Sequence, residues 1–144
     1  MYDEILLPTD GSDATEKAVQ QALDLAATCD ARLHVVSIVN QTALPAEAPR
    51  GQLVDELEGF AESAVDEVEE RAAEAGVDVT TAVENGTPYR AILDYADDND
   101  VDVIVIGTHG RRGIDRYLVG SVTEKIVRLS DVPVLTVRMG EDEK

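Results

Sequence analysis

Apolar runs of strand length alternate with helical patterns from one end of this chain to the other, and that alternation leaves few folds open. Ile5-Leu6-Leu7 is strand-like and is stopped by the turn chemistry of Pro8-Thr9-Asp10-Gly11-Ser12. Ala18, Ala22, Leu25, Ala26 and Cys29 then recur at helical spacing, with Ser12 or Asp13 as the expected cap and Glu16 as capping partner of Asp13. Leu33 to Val39 is an almost unbroken β-branched run, as expected of a strand buried on both faces. Gln41 to Gly51, with Pro45 and Pro49, reads as a loop. From Leu53 to Ala75 a second helix is expected, with Leu53, Leu57, Phe60, Ala64, Val68 and Ala72 on its inward stripe and acids around the remainder. Gly76 ends it, and Val77 to Val83 is a third strand.

Thr87-Pro88 opens a third helix by a cap followed by proline in the first turn, with Ala91, Ile92, Tyr95 and Ala96 inward. Val101 to Ile106 is a fourth strand, Gly107 to Gly120 a loop, Ser121 to Leu129 a short helix, and Val132 to Val137 a fifth strand. Five strands alternating with four helices in 144 residues argue for a doubly wound α/β fold: one parallel sheet covered on both faces in one domain, 1–144. Ligands of such sheets bind at the carboxyl ends of the strands, where the winding reverses.

Charge narrows the function. Thirty acids against 12 bases give a net charge of -18, a field that opposes nucleic-acid phosphates and anionic lipid surfaces. Neither nucleic acid nor membrane is an expected partner, and a salt-rich cytoplasm suits so acidic a chain. The lone Cys29 makes no internal disulfide, and no run of about 18 apolar residues occurs. A cytoplasmic setting is expected.

Against this acidity, the segment after the fourth strand holds three of the nine arginines, Arg111, Arg112 and Arg116, beside one acid, Asp115. Its glycines allow backbone N–H groups to approach a bound group, and Gly120-Ser121, read as a helix start, offers free N–H donors for an anion. An anionic ligand follows from this reading; a glycine-rich turn whose arginines pair with neighbouring acids stands beside it. Ser121 with Glu124 also fits a capping box, which needs no ligand. Neither the P-loop nor the dinucleotide fingerprint is satisfied.

The chain resembles the universal stress protein family, in its ATP-binding branch, through Ile5-Leu6-Leu7-Pro8-Thr9-Asp10-Gly11-Ser12, Gly86-Thr87-Pro88, Gly107-x2-Gly110-x9-Gly120-Ser121 and Val132-Pro133-Val134-Leu135-Thr136-Val137. The resemblance implies a flavodoxin-like (Rossmann-like) sheet of order 3-2-1-4-5. It places Pro8, Thr9 and Asp10 at the adenosine end, Ile38 as an apolar wall for adenine, and Gly107, Thr108, His109 and Gly110 around ribose and α-phosphate. It implies that Gly120, Ser121, Val122 and Thr123 cradle the outer phosphates, with Mg²⁺ expected to bridge them. Arg111 and Arg112 are added here as counter-charges. Asp10 as a simple turn residue remains open, His109 has no partner that marks it as catalytic, and His34 is read as a strand residue only. The expected function is an ATP-binding regulatory or stress-response protein with little or no turnover. The alternative is a homodimeric interaction module without nucleotide, its subunits paired through strand 132–137.

Overall fold

A computed structural model describes residues 2–11, 15–41, 50–108 and 115–138, with the backbone alone at 50 and 115–121. Its order is β1 (Glu4–Pro8), α1 (Glu16–Cys29), β2 (Arg32–Val39), α2 (Arg50–Glu74), β3 (Val79–Asn85), α3 (Pro88–Asp98), β4 (Val103–Thr108), α4 (Asp115–Leu129) and β5 (Val134–Arg138). The five strands form one all-parallel sheet in the order β3-β2-β1-β4-β5, as expected. Leu6 pairs with His34 on one side and Ile104 on the other, so β1 lies at the centre.

The central strands read as unbroken apolar runs because both their faces are covered. Ile5, Leu7, Leu33, Val35, Val103 and Val105 meet α1 and α2 on one face, while Leu6, Val36, Ile104 and Ile106 meet α3 and α4 on the other. At about 25 cal/mol per Å² of apolar surface removed from water, this double-sided aliphatic core is the main stabilising element of a chain that is only 3% aromatic.

Three helix assignments need correction. α1 starts at Glu16 with Thr15 in the cap position, whereas Ser12 and Asp13 lie outside the described residues. Glu16 is the first residue of α1, and its carboxylate pairs with Arg71 of α2 at 3.0 Å. On α2 the expected stripe holds at Ala64, Val68 and Ala72, which are buried, and at half-buried Leu53 and Leu57, but fails at Phe60, which is 71% exposed; Ala61 and Val65 are buried instead. One residue is a 100° turn of the helix, so burying Ala61 and Val65 turns Phe60 outward. α4 begins at Asp115, six residues before the expected Ser121. Asp115 to Val119 contains neither glycine nor proline, so nothing in its chemistry stops a helix.

The third helix matches its expectation. Pro88 is its first residue and Thr87 is extended, as a residue before proline prefers, although the Thr87 side chain makes no capping bond. α2 ends through Gly76, at φ +74°, with the Val77 amide donating to the Ala72 carbonyl at 2.9 Å.

Candidate functional site

In a parallel sheet every strand ends at the same edge, so the β1–α1, β3–α3 and β4–α4 connections gather there. β1 and β4, which lie side by side, mark the reversal of winding. Beyond their carboxyl ends lies a cleft of about 320 Å³, lined by Pro8, Thr9, Asp10, Thr15, Val36, Ile38, Pro88, Ile92, Ile106, Gly107, Val122 and Thr123. Volume and character fit a small-molecule site: an apolar slot with a few convergent polar groups.

The polar groups at the mouth are held from beneath. Thr9 is buried; its amide donates to the Val36 carbonyl at 2.9 Å, its hydroxyl accepts from the Gly11 amide at 3.2 Å, and it lies 3.2 Å from the Thr15 hydroxyl. Gly11 has φ +79°, and a Cβ there would come 3.0 Å from the Ala64 Cβ, so α2 presses the turn that carries Asp10. Asp10 is exposed on the cleft rim. On the opposite wall Thr123, buried on α4, donates to the Gly107 carbonyl at 3.2 Å and ties α4 to the end of β4.

Of the thirteen residues singled out from sequence, Pro8, Thr9, Asp10, Ile38, Gly107, Val122 and Thr123 line this cleft together. Thr108 stands apart from the lining, half-buried at the end of β4, its hydroxyl donating to the Val137 carbonyl at 3.4 Å. His109, Gly110 and Arg111, like Arg112, lie outside the described residues. Gly120 and Ser121 fall inside α4, not at its start. Amides that far along a helix donate to carbonyls four residues back, so the free donors expected there belong instead to the turn at 115–117.

Thr15, Val36, Pro88, Ile92 and Ile106 are lining residues that the sequence reading missed. Val36 was within reach, since it shares a face of β2 with Ile38 by the two-residue period. Pro88 and Ile92, four apart on α3, were recognised as helix start and core but not as cleft walls.

A second cleft, of about 330 Å³, opens at the opposite sheet edge between the last turns of α3 and α4. Asp94, Asp97, Asp100 and Asp131 line it, a ring of like charge that opposes an anionic ligand. Near that same edge His34 is more than a strand residue. It is buried in β2, its Nε2 lies 2.6 Å from Glu4 Oε1, and its Nδ1 lies 2.8 Å from the Tyr95 hydroxyl. Burial, then the nearby carboxylates of Glu84 and Glu4, push the Tyr95 phenol up from its ordinary pKa.

The sheet order, with a cleft at its winding reversal, defines a flavodoxin-like α/β protein. The model of the universal stress protein family matches residues 1–138, and the chain belongs to that family. It is 33% identical to universal stress protein MJ0531 of Methanocaldococcus jannaschii, over 99% of this chain and 86% of that protein. Among solved structures it resembles the universal stress protein UspA from Lactobacillus plantarum, with TM-score 0.84, 29% identity and coverage of 95% and 98% of the two chains. It is also similar to a universal stress protein solved in complex with cAMP, at TM-score 0.74 and 31% identity, over 94% and 97% of the two chains.

Proposed function

We propose that this chain is an ATP-binding stress-response or regulatory protein, a single nucleotide-binding domain over 1–144, that senses or carries adenine nucleotide in the cytoplasm with little or no turnover. The observation that carries the reading is the cleft at the switch point. Its Val36, Ile38, Ile92 and Ile106 walls suit a flat base, and the Asp10 carboxylate on the rim suits the hydroxyls of a ribose. The family relative solved with cAMP supports the same ligand class. In this reading Gly107, Thr108, His109 and Gly110 surround the ribose and first phosphate, Val122 and Thr123 flank the outer phosphates, and Mg²⁺ arrives on the triphosphate.

Phosphoryl transfer needs an oriented nucleophile and stabilisation of developing charge. Among the described residues that line the cleft, Asp10 is the one titratable group, and it is assigned to the sugar. A steady-state ATPase rate above about 1 s⁻¹, the low end for enzymes, contradicts this part of the proposal.

Titration calorimetry with ATP–Mg²⁺ and with inorganic triphosphate, on wild type and Asp10→Ala, tests the whole. Asp10→Ala is expected to weaken ATP and leave triphosphate nearly unchanged. Equal losses for both ligands remove Asp10 from the ribose role, and no ATP binding by the wild type removes the function.

A second reading rests on β5. It is an edge strand, with Leu135 40% exposed, and an unpaired edge is a template for a second chain. Homodimerisation through 132–137 is compatible with nucleotide binding. Light scattering on wild type and Leu135→Glu tests it: a monomeric wild type ends this reading.

A further inference from the structure

Two cations converge on one aromatic ring between α3 and α4, the helices that also contribute Pro88, Ile92, Val122 and Thr123 to the cleft. Tyr89, half-buried in the first turn of α3, follows Pro88, a lining residue; Lys125 on α4 follows the lining residues Val122 and Thr123 by three and two positions. The Lys125 ammonium lies 4.9 Å from the centre of the Tyr89 ring and the Arg90 guanidinium 5.6 Å from it. Arg90 Nη2 also donates to the Tyr89 hydroxyl at 3.2 Å. The ring therefore gathers both charges at the seam between α3 and α4.

Among the described residues, Arg71 and Arg128 pair with Glu16 and Glu124, whereas no carboxylate lies within ion-pair distance of Arg90 or Lys125. In a chain with 30 acids and 12 bases, these two cations on a shared ring are a local excess of positive charge. Helical side chains lean toward the N-terminus of their helix, which directs Lys125 along α4 toward the turn of Val122. The lining itself supplies an apolar slot and a carboxylate but no cation among its described residues.

We propose that Arg90 and Lys125, positioned by Tyr89, read the phosphoryl group of a nucleotide whose nucleoside occupies the apolar slot, so that the cleft selects a phosphorylated adenosine over adenosine. This rests on the nucleotide reading above. It assigns the discrimination to the α3–α4 seam, in addition to the glycine-rich segment after β4.

Calorimetry with adenosine, AMP and inorganic pyrophosphate on wild type, on the Arg90→Met/Lys125→Met double variant and on Lys125→Arg tests it. The double variant is expected to weaken AMP at least about tenfold, the effect of losing one charge-assisted contact. Adenosine stays within about twofold, as for a surface change away from its contacts. Lys125→Arg retains AMP binding, and added salt narrows the gap between wild type and double variant. Unchanged AMP affinity, or equal losses for AMP and adenosine, overturns the proposal. If wild type binds neither adenosine nor AMP, the nucleotide reading fails; pyrophosphate binding that the double variant loses would then leave the seam as an anion site alone, and no pyrophosphate binding removes the seam as well.

Discussion

His34 shows how one buried polar residue constrains its neighbours. Both ring nitrogens are engaged, by Glu4 at 2.6 Å and by the Tyr95 hydroxyl at 2.8 Å, so the ring binds β1, β2 and α3 together. Tyr95→Phe removes one partner and leaves a buried ring nitrogen unsatisfied, which is expected to lower unfolding free energy by about 1–3 kcal/mol in urea titrations. The same phenol gives an alkaline signature. Its pKa is raised in the fold, so the stability it contributes is whole below about pH 10 and is lost as pH climbs through the raised folded value. Tyr95→Phe should therefore be less stable at neutral pH and lose less on going to alkaline pH; parallel declines in the two proteins would contradict the assignment. Gly11 is constrained by backbone and by space together, with φ +79° and Ala64 3.0 Å from any added Cβ. Gly11→Ala is expected to cost about 1–2 kcal/mol from the left-handed conformation alone, measured by the same titration. The need for glycine at this turn was legible in Asp10-Gly11-Ser12; that α2 would press on it was not.

At the scale of elements, α2 illustrates a rotation that periodicity leaves open. Leu53, Leu57, Phe60, Ala64, Val68 and Ala72 make an acceptable stripe, yet the helix buries Ala61 and Val65 and turns Phe60 outward. Ala64, which both stripes share, is the α2 residue that meets the β1–α1 turn, 3.0 Å from a Cβ placed on Gly11. Phe60→Ser is expected to change stability by no more than about 0.5 kcal/mol, as for other exposed sites. Val68→Ala, which empties a buried position, is expected to cost about 1.5–3 kcal/mol from the lost methyl burial. Thermal melts of the two variants check this, and a larger loss for Phe60→Ser would restore the first stripe. In α4 the Gly120-Ser121 pair imitates a boundary, since glycine weakens helices and serine caps them. One interior glycine costs about 1 kcal/mol, too little to stop a helix that begins at Asp115 and is anchored by Ile126 and Thr123.

At the scale of the whole molecule the net charge of -18 acts on everything at once. Its self-repulsion opposes compaction, and salt shortens its range from about 30 Å at 0.01 M to about 3 Å at 1 M. Melting temperature is accordingly expected to rise between those salt concentrations by at least about 2–4 °C, the shift that 1 kcal/mol produces in a domain of this size. A flat salt dependence in scanning calorimetry would show that local ion pairs offset the field. The number, type and order of the elements, the parallel sheet and its double-sided burial were determined by sequence alone, because hydrophobic period and turn chemistry are local properties of a chain. The motifs after β1 and β4 carried the resemblance that implied strand order 3-2-1-4-5. Only the tertiary structure decided that Thr15, Val36, Pro88 and Ile106 join the switch-point cleft, and that Arg90 and Lys125 meet on Tyr89. Those groups are tens of residues apart, and their meeting depends on register and on how α3 and α4 lie across the sheet, quantities that no local pattern encodes.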